Sequence, residues 1–171
     1  AIQRGRRTGE PVSAYLLAAW VGRSFAGGRG HLAVWYDYLS GDDTPNDGRI
    51  QVFSTLYGTN HKFYGFADQF TNIPANTAGH GLQDRALKLS LKPASDLAVE
   101  ADVHSFAAAK RGALSTPHFG DEVDLTVTQR YSPNLSATAG MARVLQDRGM
   151  AEIGRLDRNM TWAFIMVDVV F

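Results

Sequence analysis

The chain has 171 residues, with 17 Lys and Arg set against 17 Asp and Glu, five histidines and no cysteine. Zero net charge leaves no electrostatic footprint for nucleic acid, the absence of thiols removes disulfide frameworks and thiolate metal sites, and the histidines lack the close paired spacing of a zinc motif. No run reaches 18 apolar residues, which excludes a transmembrane helix, and the near-neutral mean hydropathy of −0.19 suits both a soluble protein and a barrel whose lumen residues dilute its lipid face.

The opening "AIQRGRRTGEP" contains no apolar signal segment, so the chain is expected to be processed or cut from something longer. Predicted strands then follow one another along the whole length. The first, 13–25, has Tyr15, Leu17, Ala19 and Val21 competing with Leu16, Ala18 and Trp20 for the apolar face, and the pattern does not decide between them. "AGGRG" joins it to a strand at 31–40, after which a long connection runs over about 41–83. Strands at 85–92 and 97–106 are linked by the turn formers "PASD", and strands at 121–131 and 135–145 by "SPN". The remaining connections, "AAAKRGALSTPHFG" and "QDRGMAEIGRLDRN", are long.

The closing "MTWAFIMVDVVF" spans 160–171. As a helix it would rise only about 18 Å, short of a membrane's hydrocarbon layer, whereas a strand of this length crosses it. At period two, Ala163, Ile165, Val167, Val169 and Phe171 form a purely apolar face.

Alternating short and long connections predict an all-β, up-and-down antiparallel sheet with tight turns on one rim and large loops on the other. Side-chain parity agrees: Leu87, Leu89 and Leu91 alternate with Lys88, Ser90 and Lys92, and Val123, Leu125 and Val127 alternate with Asp124, Thr126 and Thr128. A soluble β-sandwich with one wet face gives the same parity, so a soluble extracellular binding module stands as the alternative from another class. Strand lengths near ten and the loop asymmetry favour the membrane barrel.

The segment "VWYDYLSGDDTPNDGRIQVFSTLYGTNHKFYGFADQF" (34–70) resembles the "YDYxSGDxxPxDG…F…LYxTNHKxYGxxD" signature of the alginate-export family of Gram-negative outer-membrane barrels. "AIQRGRRTGEPVSAYLLAAW" is similar to that family's upstream hairpin and "DEVDLTVTQRYSPNLSATAGMARVL" to a downstream strand pair, so the likeness covers essentially the whole chain. It implies that residues 1–171 are the C-terminal segment of one larger barrel of roughly 18 strands, a size that leaves an aqueous channel. This chain supplies about seven strands and the stub of an eighth. The implied function is an outer-membrane channel, without enzymatic activity or cofactor, that passes an anionic polysaccharide such as an alginate-like polyuronate. A general or substrate-specific porin for small anionic solutes is the alternative on the same scaffold. Implied partners are outer-membrane lipid, the barrel-assembly machinery and a periplasmic export protein. The resemblance also gives the terminal strand a role, with Phe171, Val169 and Val167 similar to the signal that the assembly machinery reads, and it puts the short turns in the periplasm.

If the aliphatic face meets lipid, the charged face lines the path of the substrate. By parity it carries Asp37, Lys88, Lys92, Glu100, Asp102, His104, Glu122, Asp124, Arg130 and Asp168. Passage of a polyuronate asks for cations that offset carboxylate desolvation, for which Arg130 and Lys88 are the best candidates. Three basic residues against six acidic ones nevertheless make this portion of wall net acidic. Either the basic constriction lies in other strands and in loop residues such as Lys110 and Arg111, or the cargo is something other than alginate. A plain cross-strand charge ladder involving Lys88, Glu100, Asp102 and Arg130 is the structural reading of the same residues.

Two loop segments also stand out. "SGDDTPNDG" gathers Asp42, Asp43 and Asp47, an oxygen-rich stretch that suits Ca²⁺ in character but lacks EF-hand spacing and reads equally as a turn built by Asx side chains and Pro45. "TNHKFYGFADQF" places His61, Lys62 and Tyr64 where a loop folded into the pore would act as a gate, or where its aromatics would anchor the loop to the barrel rim. Tyr36, Tyr38, Tyr131 and Phe171, near strand ends, are expected in the interfacial aromatic girdles.

Overall fold

A computed structural model describes residues 1–56 and 63–171. Eight strands pair in strict chain order in one antiparallel sheet: β1 (Ile2–Arg7), β2 (Glu10–Phe25), β3 (Gly30–Leu39), β4 (Leu82–Ala94), β5 (Leu97–Ala107), β6 (His118–Ser132), β7 (Leu135–Gln146) and β8 (Met160–Val169). β1 and β8 lie at opposite ends of this order and do not pair with each other, so the sheet is open. Helix is confined to two short pieces, α1 (Ile73–Asn76) and α2 (Arg148–Glu152), and a 3₁₀ turn at Ala26–Gly28.

The three expected tight connections, β2–β3, β4–β5 and β6–β7, share one rim. The opposite rim carries the long β3–β4, β5–β6 and β7–β8 connections, as the sequence predicts. One departure is the β1–β2 hairpin, which closes on the loop rim through only Thr8 and Gly9. Both have positive φ, 51° and 90°, the twist that a two-residue hairpin turn demands.

Strands run longer than the alternation suggests. β4 begins at Leu82 and β6 at His118, so the long loop spans 40–81 rather than 41–83, and Gln83 and Asp84 lie in a strand. Register also settles the faces of β2. Trp20 pairs with Trp35 and Ala18 with Asp37, placing Leu16, Ala18 and Trp20 on the charged face and Tyr15, Leu17 and Val21 on the aliphatic one.

The described part of the β3–β4 loop folds back across the charged face, here called the inner face. Phe53, Tyr64, Phe70 and Ile73 from the loop pack with Leu39, Leu82, Phe106 and Phe119 from the strand ends, while Leu114 and Met150 enter from the neighbouring connections. Phe70 is the centre of this core, with ring centroids 4.8 Å from Phe106 and 5.8 Å from Phe119. Burying an aromatic of this size contributes roughly 1.5–3 kcal/mol, which offsets part of the cost of ordering a long loop. The loop's first half is also tied to the hairpin. The Gln3 side-chain amide donates to the Ser54 carbonyl at 2.6 Å and accepts from its N–H at 2.9 Å.

The outer face has no such cover. Leu87, Val103, Val123, Leu125 and Met141 each keep about 42–47% of their surface exposed. A sandwich would bury that face under a second sheet. Among the described residues there is a single sheet, and the soluble-sandwich expectation gives way to an open, two-faced one.

Candidate functional site at the inner face

Cross-strand register converts the alternation of β3 to β7 into rows of inner-face side chains. One row reads Ala33, Lys88, Asp102, Asp124, Ala142; the next, towards the loop rim, reads Trp35, Ala86, His104, Glu122, Val144; the third contains Asp37, Asp84 and Phe106. Lys88 Nζ donates to Asp102 Oδ2 at 2.6 Å and to His104 Nε2 at 3.3 Å, and lies 5.9 Å from the centre of the Trp35 ring. An ammonium group only donates, so His104 Nε2 is an acceptor. The other ring nitrogen, Nδ1, donates to Asp84 Oδ2 at 2.8 Å. Asp102, Lys88, His104 and Asp84 thus form one continuous chain, with His104 stacked against Phe106 at 5.4 Å.

The loop closes over the acidic end of this network. Phe66 N–H donates to Asp124 Oδ2 at 3.1 Å and Ala67 N–H to Glu122 Oε1 at 2.7 Å. Glu122 is fully buried, Asp124, Asp84 and His104 nearly so, and Asp37 keeps only 7% exposure. Buried carboxylates of this kind demand hydrogen bonds, and the loop's backbone gives one each to Glu122 and Asp124. Gly65 makes the approach possible. At φ +81° a side chain would be strained, and a Cβ there would lie 2.4 Å from Glu122 Cδ and push that carboxyl group from its place.

Towards the turn rim the inner face is open. Lys92, Thr128 and Arg130 line a shallow cavity of about 140 Å³ with Ser95 and Asp96 of the β4–β5 turn, and Glu100, Arg130 and Asp168 are exposed. Every expected lining residue, Asp37, Lys88, Lys92, Glu100, Asp102, His104, Asp124 and Arg130 included, therefore falls on the inner face, but they split into a covered acidic group and an accessible, more basic group. Asp84 belongs to the first and is not read from the sequence, because the predicted strand begins at Arg85 whereas β4 begins at Leu82. The signal was there, since Asp84, Ala86 and Lys88 continue the same period of two.

Of the loop residues, Tyr64 is buried at 4% exposure in the core under the loop, and burial pushes its phenol well above the ordinary range. His61 and Lys62 lie outside the described residues. Asp42 accepts from the N–H groups of Thr44 and Gln51, Asp47 from the Arg49 N–H and the Thr44 hydroxyl, and Asp43 pairs with Lys110 at 3.4 Å. These three carboxylates are engaged as Asx turns and a surface ion pair, and among the described residues no group of three or more His, Asp or Glu has metal-holding geometry. Val167 and Val169 are exposed on the outer face, opposite Ala137 and Leu135, and Phe171 is fully exposed. Tyr38 stacks on Tyr15 at 5.7 Å near the loop rim.

A two-faced, up-and-down sheet with aliphatic residues on one side and a polar, loop-covered path on the other is the wall of a barrel. The model of one protein family, alginate export, matches residues 1–146. The chain belongs to the alginate export family. The match takes in β1 to β7 and the loop that covers the inner face, and leaves α2 and β8 beyond it. No curated protein and no solved structure matches the chain. Alginate export is a transport family.

Proposed function

We propose that this member of the alginate export family is part of the wall of an outer-membrane channel that carries an anionic polysaccharide outwards, its outer face in lipid and its inner face along the path. The observation that carries the reading is the pairing of a continuous exposed aliphatic face with a polar opposite face on one up-and-down sheet. Lys88, Lys92 and Arg130 are the residues assigned to the cargo, and the loop bearing Tyr64 narrows the path from the loop rim.

The burial pattern lessens the acidity that the cargo would meet. Asp37, Asp84, Glu122 and Asp124 are covered, so the polymer meets chiefly Lys88, Lys92 and Arg130 set against Glu100, Asp102 and Asp168. With Lys88 held by Asp102, the lining cations that hold no ion pair among the described residues are Lys92 and Arg130 at the turn rim, the end at which cargo would enter. Passage of small anionic solutes is the second reading, favoured by how evenly balanced that accessible set is.

The test uses the protein's own lack of cysteine. Single cysteines at Ser90 and Glu100 on the inner face should react with a membrane-impermeant maleimide in lipid vesicles, and cysteines at Leu87 and Leu125 should not. Equal labelling of both faces would exclude the barrel-wall assignment.

A further inference from the structure

The β7–β8 connection places Arg155 against the covering loop. Its Nη1 group donates to the carbonyls of Gln69 at 2.5 Å and Asn76 at 3.2 Å, its Nη2 group donates to Gln69 Oε1 at 3.2 Å, and its guanidinium lies 5.8 Å from the Phe70 ring centre. All these acceptors are neutral. No carboxylate among the described residues pairs with Arg155, although the side chain is partly buried and desolvation lowers its guanidinium from the ordinary value. Its Nε–H and one Nη2–H have no acceptor among the described residues, and together they are the fork that binds a carboxylate through two parallel hydrogen bonds.

That side chain forms part of an open cavity of about 500 Å³ on the loop rim. Arg158 stands on the same wall, with Gln69, Gln146, Asn159 and Met160 around it, and no Asp or Glu among the described residues lines it. The volume is that of an ordinary small-ligand pocket. Two guanidinium groups, three side-chain amides and a small apolar patch make up a surface for an anionic, hydroxyl-rich ring. The lone acid within this stretch, Asp157, is exposed and lies outside the lining.

We propose that this cavity binds the carboxylate of a uronate residue, with Arg155 as the fixed fork and Arg158 as the second cation, and so holds the polymer at the rim by which it leaves. The inference rests on the channel reading above for how the polymer reaches this rim, but both arginines lie beyond the residues matched to the family and the site is argued from its own groups.

The test is calorimetric titration of the protein, purified in detergent, with short oligomannuronates, a neutral manno-oligosaccharide of equal length and inorganic phosphate. Oligomannuronate should bind, the neutral sugar should not, and Arg158→Ala should weaken binding roughly tenfold, since Arg158 is exposed and the fold does not depend on it. Arg155→Lys keeps the charge and loses the fork, and should weaken binding as much. Unchanged oligomannuronate affinity in both variants would overturn the proposal, as would equal binding of the neutral sugar or binding of phosphate alone. Polyuronate block of the channel current that persists in a variant with unchanged oligomer affinity would sink this pocket and leave the channel reading standing.

Discussion

The amide of Ala67 donates to Glu122 Oε1 at 2.7 Å, and the amide of Phe66 donates to Asp124 Oδ2 at 3.1 Å. A loop of about forty residues is thereby fastened to the middle of a β-sheet through two neighbouring amides and two carboxylates on one strand face. The strap fixes which inner-face groups stay accessible, because the acids that hold it are themselves hidden.

Gly65→Ala tests the strap at its tightest point. The new methyl group would collide with the Glu122 carboxyl group and adopt an unfavourable positive φ, so the loop should unseat at a cost of about 1–3 kcal/mol. Limited proteolysis is the readout, and cleavage between 63 and 81 should accelerate while the strands stay protected.

Glu122→Leu removes the acceptor and leaves the Ala67 N–H buried without a partner, a penalty of about 1–3 kcal/mol. Loop cleavage should again accelerate, and single-channel current should become noisier as the loop moves. An unaltered cleavage rate would mean that the aromatic core around Phe70 holds the loop without the strap.

The same cationic substitution should cost very different amounts on the two sheet faces. Leu125→Arg puts a cation on the outer face near the middle of β6 and should destabilise the folded protein in lipid vesicles by about 2–4 kcal/mol in urea titrations. Arg in place of the inner-face Ser90 should cost far less. Equal losses would contradict the assignment of faces.

Arg130→Ala should move the reversal potential towards cations and leave assembly intact, as judged by resistance to unfolding in detergent without heating. Arg130 is exposed at the turn rim and holds no described ion pair, so its loss removes field from the path and little from the fold. An unmoved reversal potential would take it off the lining.

Much of the architecture was legible because a sheet with unlike faces writes itself into the sequence at period two. Leu87, Lys88 and Leu89 reveal two faces without any knowledge of the partner strands, and the "SPN" and "PASD" turns set their order. β2 was illegible since both its faces are apolar, Trp20 facing inward to stack on Trp35 at 5.7 Å while Val21 faces out. The loop rim was read least well. Thr8 and Gly9 look like an ordinary polar stretch until the register of β1 makes them a hairpin. The covering of Glu122 and Asp124 depends on contacts more than fifty residues apart, which no local pattern encodes. Arg155 was missed for the same reason, its partners being Gln69 and Asn76 on another connection.

The central claim is that the inner face lines a path for an anionic polysaccharide. Current through a planar bilayer holding the barrel, with polymannuronate added to one side and a neutral glucan as control, tests it most directly. Concentration-dependent block by the polyuronate alone, weakened by Arg130→Ala, is the predicted result. Current that carries small ions and ignores both polymers would contradict it and leave a small-solute porin on the alginate export scaffold.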